Sequence, residues 1–356
     1  MLAVLQYSEG ADEGVAVDSL VSTGDWSGPG SGSALGVALM GAGSFVKAMH
    51  VPHLKAMGSK VQVPVSCSRK GTSARASAAL FEGCRAETDY DAVLSDPAVH
   101  AVLIGTRHDT HGDLAVRAMR AGKAVFVEKP MCLHPNEFEQ LRDAVEGSSA
   151  PFMVGYNRRY SPFSGIIRRE TAGRIHPLMI QYTMNAGYLP KEHWTQGSEG
   201  GGRLLGEACH IIDLFRSLVG HPVKEVSCNP LRSTNPAGLA TDNFSLTLTY
   251  EDGSVATLLY TALGHRDVPK ERMEVFFDEK CFLLDDYKTM VAHGMAKAGL
   301  ELKKQDKGHA RELEVFHAAV TSGERFPIPW EAMVETWRIS WQADQLCRAG
   351  QGLSTE

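Results

Sequence analysis

The chain has little that marks a secreted, membrane or nucleic-acid-binding protein. Its seven cysteines are few for 356 residues, odd in number and never spaced as C-x-x-C, so we expect neither a disulfide framework nor a metal site. With 36 Lys and Arg against 42 Asp and Glu, the net charge is −6, which excludes the basic surface that nucleic acids require. No apolar run reaches the roughly 18–20 residues of a membrane helix, and no basic residues lead the chain as in a signal peptide. We therefore expect a soluble cytoplasmic protein.

The first 33 residues differ in composition from the rest. An acidic segment is followed by a Ser/Gly/Pro tract over residues 27–33, which is typical of flexible linkers. We predict a flexible N-terminal extension over residues 1–33 that takes no part in chemistry. The length of the chain predicts two domains after it.

From residue 34 onward, short apolar runs alternate with segments of helical spacing. The predicted strands are 34–40, 61–67, 101–105, 124–127 and 152–155, and the predicted helices are 44–57, 74–82, 111–121 and 135–146. This alternation predicts a parallel, doubly wound sheet, and so an α/β Rossmann dinucleotide-binding domain over residues 34–155. Ligands of such sheets bind beyond the carboxyl ends of the strands.

The rest of the chain has longer segments with alternating polarity. The predicted strands are 176–186, 223–228, 243–250, 254–261, 273–277 and 281–285, and the predicted helices are 204–218, 311–322 and 330–349. Glu251-Asp252-Gly253 indicates a hairpin. These features predict an α+β substrate-binding and oligomerisation domain over residues 156–356 with a largely antiparallel sheet. Because such a sheet often leaves one face to bury, we expect a homodimer or homotetramer formed through it.

A glycine turn follows the first predicted strand. Gly41-Ala42-Gly43 leads through Ser44 and Phe45 into a helix, where a dinucleotide pyrophosphate meets helix N-terminal amides. The third position of the glycine fingerprint is Val46, so we expect looser packing of helix on strand. A tight turn in an α/β protein that binds no nucleotide is the alternative.

The end of the second strand bears on the choice of dinucleotide. An NAD-selective site would place a carboxylate there, but the chain has Ser68, Arg69 and Lys70. A hydroxyl beside two cations suits a 2′-phosphate, so the sequence favours NADP(H) over NAD(H). The alternative is a solvated turn.

Glu128-Lys129-Pro130 follows a predicted strand, from which Lys129 would project into the crevice. A partly desolvated lysine beside a nicotinamide can stabilise negative charge that develops on a substrate oxygen. An ordinary surface lysine is the alternative.

Several stretches together resemble the Gfo/Idh/MocA family (glucose–fructose oxidoreductase, inositol dehydrogenase, rhizopine catabolism). They are residues 41–54, 88–130 with its Glu-Lys-Pro, 154–162, and 199–215 with its Gly-Gly-Gly and His-x-x-Asp. Within the family the chain looks most like a branch of bi-domain oxidoreductases. The resemblance implies an NAD(P)-dependent oxidoreductase that transfers hydride between nicotinamide and a secondary alcohol or ketone of a sugar, sugar derivative or sugar nucleotide.

The resemblance also implies roles for particular residues. Gly41 and Gly43 would carry the pyrophosphate, and Glu128 and Lys129 would lie near the nicotinamide ribose and the substrate. His210 matches the catalytic histidine of the family, whose imidazole, with a pKa near neutrality, would exchange the carbinol proton. Asp213, three residues further on, would orient that histidine.

Two positions depart from the pattern of the family. Many members place Asp at the position of Gly206, so either Glu207 supplies that carboxylate or Lys129 and His210 act alone. The segment Thr106-Arg107-His108 replaces a common Pro-Asn, which brings an extra cation and imidazole, together with His111, to the cofactor side.

Two groups of residues are candidates for binding the substrate. Arg158 and Arg159, after Asn157, suit a carboxylate or phosphate, or they pair with acidic residues between the domains. An aromatic and polar cluster that suits a sugar ring consists of Tyr188, Lys191, His193 and Trp194. The alternative for Trp194 is a structural role in the core of the interface between the domains.

The sequence leaves two other functions open. They are a dinucleotide-binding sensor or partner subunit without catalysis, and an imine or enone reductase.

Overall fold

The computed structural model describes residues 26, 28, 30, 33–41, 43–232 and 241–350. The extension predicted over residues 1–33 lies outside the described residues except at four positions, and Ala42 of the glycine turn lies outside them as well. Trp26 is one of the four. Its indole N–H donates a hydrogen bond of 3.0 Å to the carbonyl of Val320.

A parallel sheet forms the first half of the described fold. Its strands are β1 Leu35–Met40, β2 Val61–Gln62, β3 Val65–Cys67, β4 Arg85–Glu87, β5 Ala101–Ile104, β6 Ala124–Val127 and β7 Phe152–Val154. The order is β4-β3-β1-β5-β6-β7, with β2 beside β1. Strands β1, β5 and β6 are buried along their whole length, as expected when helices cover both faces. The strand order reverses direction at β1, so the predicted ligand crevice lies between β1 and β5.

Helices cover this sheet on both faces. They are a π-helical turn Val46–His50 that continues as α1 Val51–Ala56, then α2 Gly71–Ala78, α3 Tyr90–Leu94, α4 His111–Arg120 and α5 Pro135–Glu146. Helix α5 begins as its sequence predicts, with proline at its first position and the Glu137 carboxylate accepting from the amide of His134.

A second sheet follows in the chain. Its strands are β8 Met179–Asn185, β9 Val223–Pro230, β10 Phe244–Tyr250, β11 Val255–Thr261, β12 Glu271–Phe277, β13 Lys280–Asp285, β14 Thr289–His293 and β15 Leu300–Glu301, in the order β15-β14-β13-β12-β8-β11-β10-β9. Strands β8 and β11 pair in parallel and the other neighbours are antiparallel. The predicted hairpin is confirmed, since Phe244 of β10 faces Tyr260 of β11.

The remaining helices join the two sheets. They are α6 Pro162–Thr171, a π-helical turn Leu204–Ala208 that continues as α7 Cys209–Val219, then α8 His309–Ser322 and α9 Trp330–Gly350. Helix α9 buries Trp337 in the core of the first sheet and Ala343 in the core of the second. We propose that the chain divides between residues 155 and 156 into two domains, one around each sheet. Helix α9 packs on both sheets and therefore does not mark the boundary. None of the described helices has both the length and the apolar composition to cross a membrane.

Candidate active site

The two described glycines of the turn after β1 leave space beside the backbone. Gly41 has φ of +93°, and a Cβ at this position would lie 2.8 Å from the carbonyl oxygen of Gly105. A Cβ added to Gly43 would meet no atom within 4 Å, so a ligand can approach the backbone there. The turn therefore fits a pyrophosphate.

The packing behind this turn is tighter than the sequence predicts. Val46 is completely buried, and a Cβ on Gly105 would lie 2.4 Å from Val46 Cγ2. Gly105, which follows β5, has no side chain and so leaves the space that the Val46 side chain fills. A glycine at position 46 would have left this space on the other side of the contact. The expectation of looser packing was wrong because it considered only one of the two surfaces in contact.

A cavity of about 270 Å³ lies beyond the carboxyl ends of β5 and β6. Its lining residues are Phe45, Gly105, Thr106, His108, His111, Glu128, Lys129, Trp194, Thr195, Gly202, Arg203, Gly206 and Glu207. Eight of the predicted site residues are among them: Phe45, Thr106, His108, His111, Glu128, Lys129, Trp194 and Glu207. We refer to this space as the active-site cavity.

Lys129 extends across the active-site cavity toward the π-helical turn before α7. Its Nζ donates a hydrogen bond of 2.7 Å to the carbonyl oxygen of Gly206, and the side chain is only partly exposed. The ammonium group therefore lies between the two halves of the fold, where a substrate oxygen can share its hydrogen-bonding capacity.

Glu128 lies beside it and is fixed by a residue that the sequence analysis missed. Nε2 of the completely buried His50 lies 2.6 Å from Glu128 Oε1. Burial alone would raise the pKa of Glu128, but the His50 hydrogen bond and the charges of His50 and Lys129 together lower the pKa. The sequence feature that could have indicated His50 is its position within the helix that begins at the glycine turn.

The two departures from the family pattern are in contact with each other. A Cβ on Gly206 would lie 2.8 Å from His108 Cε1, so the His108 ring fills the space of a side chain at position 206. His108 Nδ1 lies 2.8 Å from the carbonyl oxygen of Gly200, which assigns the proton to Nδ1 and leaves Nε2 as an acceptor. Burial, and then the charges of Lys129 and His111, lower the pKa of His108 to about 3. His108 is therefore neutral.

Glu207 lines the active-site cavity as a carboxylate that already has partners. It accepts from Lys270 Nζ at 2.6 Å and from the hydroxyl of Tyr260, and Arg203 Nη1 lies 3.6 Å away. Burial opposes ionisation, but these groups together lower the pKa of Glu207 to about 2. The carboxylate is permanently ionised near neutral pH and is poorly suited to accept a proton.

His210 does not have the predicted surroundings. It is 6% exposed, its Nδ1 has no partner among the described residues, and its ring lies 6.4 Å from Tyr156, edge to face. Burial, followed by the charges of Arg158 and Lys129, lowers the pKa of His210 well below its usual value, so the expected pKa near neutrality was wrong. Asp213 does not orient it: both oxygens of this buried carboxylate bind Arg159, at 2.5 and 2.9 Å.

The neighbouring arginine and asparagine point away from the active-site cavity. Arg158 forms two hydrogen bonds of 2.6 and 2.8 Å with Glu271, and Asn157 Nδ2 donates to the carbonyl of Lys307 at 2.9 Å. With Arg159 bound to Asp213, neither arginine lines the cavity. The alternative placed the acidic partners between the domains. Both arginines do pair with carboxylates, but Glu271 and Asp213 lie in the same proposed domain, 156–356, as the arginines.

Only part of the predicted sugar-binding cluster lies at the active-site cavity. Only Trp194 reaches the active-site cavity, where its ring packs edge to face on His108 at 4.9 Å. Tyr188 is 69% exposed, Lys191 is exposed, and His193 Nδ1 bonds Thr195 Oγ1 at 2.8 Å. Outside the cavity, Arg107 pairs with Glu199 and its guanidinium lies 5.4 Å from the centre of the Trp194 ring.

The residues predicted to choose the dinucleotide lie at the carboxyl end of β3. Ser68, Arg69 and Lys70 follow β3, which pairs with β1 up to Met40 and Cys67. The amide of Ser68 donates to the carbonyl of Glu87 at 3.2 Å, and both cations are exposed. The glycine turn and this pair of cations therefore end neighbouring strands.

The free energy of unfolding is expected to fall as pH decreases from 7 to 4. Four largely buried histidines have a lowered pKa: His108 (about 3), His309 (about 4), His111 and His210. Below about 6.5 the unfolded chain binds protons that the folded chain does not, so each histidine lowers stability by up to about 1.4 kcal/mol per pH unit until its folded pKa is reached. Urea denaturation at pH 7, 6 and 5 measures this slope, and the slope should be shallower in His108→Gln. A stability independent of pH over this range contradicts the assignment of neutral histidines.

Comparison with known proteins identifies the family. Residues 35–156 match an oxidoreductase family with an NAD-binding Rossmann fold, and residues 164–282 match the Gfo/Idh/MocA C-terminal domain. The chain belongs to the Gfo/Idh/MocA oxidoreductase family. Membership agrees with the parallel sheet, the glycine turn and the second, mainly antiparallel sheet of this oxidoreductase.

Relatives of this Gfo/Idh/MocA protein include polyol and sugar dehydrogenases. Inositol 2-dehydrogenase of Rhizobium meliloti (strain 1021) is 28% identical over 307 residues, 80% of this chain and 88% of that protein. The scyllo-inositol 2-dehydrogenase (NAD(+)) of Bacillus subtilis (strain 168) is 33% identical over 153 residues, 42% of this chain and 44% of that protein. The fold is similar to that of levoglucosan dehydrogenase in complex with NADH and levoglucosan, with a TM-score of 0.74 and 22% identity over 89% of this chain and 97% of that chain.

Proposed function

We propose that this Gfo/Idh/MocA protein is a cytoplasmic dehydrogenase or reductase that uses NAD(P) on a secondary alcohol or ketone of a sugar, cyclitol, sugar derivative or sugar nucleotide. The observation that carries the proposal is Lys129, whose ammonium lies in a cavity at the carboxyl edge of the parallel sheet. The relatives named as inositol and levoglucosan dehydrogenases support the substrate class. Seven free thiols are consistent with a reducing compartment.

The glycine turn and the adjoining cavity wall would hold the dinucleotide. The open space around Gly43 and the amides of the following turn suit the pyrophosphate, with Ser44 beside them. Phe45, Thr106 and Glu128 line the part of the active-site cavity next to this turn. When bound, the nicotinamide supplies the hydride acceptor or donor.

The side chains of the cavity would orient the substrate and stabilise its charge. In reduction the Lys129 ammonium stabilises the negative charge that develops on the carbonyl oxygen and then gives that oxygen a proton. In oxidation the uncharged amine takes the carbinol proton. Neutral His108 presents Nε2 as an acceptor for a second hydroxyl group. Trp194, with Arg107 stacked on it, offers an apolar surface to the ring of a sugar.

The first test of this proposal is a fluorescence titration with NADPH and NADH in parallel. Arg69 and Lys70 are exposed beside the glycine turn, so we expect NADPH to bind more tightly. Arg69→Ala should weaken NADPH about tenfold and leave NADH unchanged, whereas Arg272→Ala, an exposed arginine on β12, should change neither.

The outcomes separate the parts of the proposal. If NADH binds more tightly, Arg69 and Lys70 belong to a solvated turn that does not contact the dinucleotide. Glu87, at the end of β4, then becomes the candidate carboxylate of an NAD-selective site. If neither dinucleotide binds, the proposed function fails. Tight binding without turnover of any polyol, sugar or keto sugar would favour a sensor or partner subunit.

We also propose that two copies of the chain, or four, associate through the outer face of the second sheet. Large apolar side chains on this face are exposed by 38–62%, and they are Met179, Leu259, Phe276, Leu283 and Val291. Phe276 and Met179 lie opposite each other on paired strands. Exposed apolar patches on a sheet mark an interaction surface.

Light scattering at micromolar concentration is expected to give the mass of a dimer or tetramer. Replacing both Met179 and Phe276 with Asp should yield monomer, because two desolvated carboxylates would oppose association. Leu231→Asp, at an apolar residue outside these strands that is 47% exposed, serves as the control. A wild-type chain that is monomeric contradicts the proposal.

A further inference from the structure

A second cavity, remote from the active-site cavity, collects three arginines. It has a volume of about 440 Å³ and lies between α6, α7 and the segment before α9. Its polar lining consists of Arg159, Arg168, Arg216, Tyr160 and Ser217. No carboxylate-bearing residue is among its lining residues, and it shares none of them with the active-site cavity. We call it the arginine cavity.

One of the three guanidinium groups has no opposing charge. Arg159 pairs with Asp213 and Arg216 pairs with Glu335. Arg168 donates to the carbonyl oxygen of Arg159 at 2.6 Å and to Ser217 Oγ at 3.1 Å, and no carboxylate of the described residues pairs with it. Burial, and next the charge of Arg159, lower the pKa of Arg168, as expected for a cation short of a counter-charge.

The local charge balance favours an anion. Three cations against two paired carboxylates leave one positive charge, and the carboxyl end of α7 at Gly220 offsets roughly half of it. Hydrogen-bond donors also remain. Arg159 Nη1 and both terminal nitrogens of Arg216 have no partner in the described part of the chain.

We infer that the arginine cavity binds the phosphate group of a small molecule. Its volume falls within the roughly 300–1,000 Å³ typical of small-molecule sites. Guanidinium donors from three residues suit the several acceptor oxygens of a phosphate. This site is additional to the proposed dehydrogenase chemistry and does not depend on it.

Calorimetric titration at constant ionic strength tests the inference, with inorganic phosphate, glycerol 3-phosphate and, as the uncharged control, glycerol. We expect one site for phosphate or its ester and none for glycerol. Tighter binding of the ester identifies a phosphorylated metabolite, and equal binding identifies free phosphate. Both results support a phosphate site, whereas no binding of either anion overturns it.

Two substitutions localise the site. Arg168→Met should weaken binding about tenfold or more, while Arg169→Met, its exposed neighbour on α6, should change nothing. If Arg169→Met weakens binding as much as Arg168→Met, the attraction is nonspecific and the inference is wrong. NADPH titration of the same variants reports separately on the dinucleotide site.

Discussion

Lys129→Met is expected to lower kcat about a thousandfold while changing the dissociation constant of the dinucleotide less than about twofold. Methionine keeps the length and the apolar stem of the side chain and removes only the charged donor that lies in the active-site cavity. Loss of one preorganised donor to a developing oxyanion typically costs a factor of about 10²–10³, and loss of proton transfer about 10²–10⁴.

Lys191→Met is the matched control for this variant. Lys191 is an exposed lysine that the sequence placed in the substrate cluster, and the structure places it outside the active-site cavity. We expect its kcat to remain within about twofold of wild type. Steady-state kinetics on the same polyol, with dinucleotide titrations of both variants, make the comparison. Wild-type turnover by Lys129→Met would remove this lysine from the mechanism.

Glu271→Gln is expected to lower the free energy of unfolding by about 3–5 kcal/mol. The completely buried carboxylate of Glu271 binds Arg158 at 2.6 and 2.8 Å, Lys307 at 2.6 Å and the hydroxyl of Tyr182. An amide of the same shape would leave two cations without a counter-charge, and removing one member of a buried ion pair typically costs that much. Urea denaturation at pH 7 measures the loss.

The control and the pH dependence distinguish charge from shape. Glu251→Gln, at an exposed residue in the turn between β10 and β11, should change stability by less than about 0.5 kcal/mol. Burial opposes ionisation, but Arg158 and Lys307 hold the pKa of Glu271 well below its usual range. The stabilisation is therefore present above the unfolded pKa near 4.5 and is lost as pH falls toward the folded value, so wild type and Glu271→Gln should converge in acid. Equal stabilities at pH 7 would contradict the role of this ion pair.

The sequence predicted the frame of the fold because the frame depends on local patterns. Buried apolar runs such as Ala101–Ile104 and Ala124–Val127 are recognisable without knowledge of their neighbours. The short strand β4 was missed because Arg85–Glu87 is a polar edge strand with no apolar run. The helix α3, only five residues long, was missed as well. The parallel pairing of β8 with β11 joins segments far apart in the chain, which no local pattern determines.

The candidate site was predictable where a motif marks it and unpredictable where long-range pairing decides. Glu128 and Lys129 line the active-site cavity, as does Phe45, two residues after the glycine turn. Arg158 and Glu271 are 113 residues apart and Arg159 and Asp213 are 54 apart, so the spacing of residues gives no hint of either pair. The two ion pairs direct the guanidinium groups toward Glu271 and Asp213, and neither arginine lines the active-site cavity, so the substrate role predicted for them there has no support.

If this protein transfers hydride between a carbinol carbon and a nicotinamide, deuterium at that carbon must appear on the dinucleotide. Mass spectrometry of the dinucleotide recovered from reactions with polyols deuterated at the carbinol carbons detects this transfer. We expect a reduced dinucleotide heavier by one mass unit with at least one polyol, and far less of it with Lys129→Met. A reduced dinucleotide without deuterium, or no reduced dinucleotide from a protein that binds it tightly, would contradict the claim.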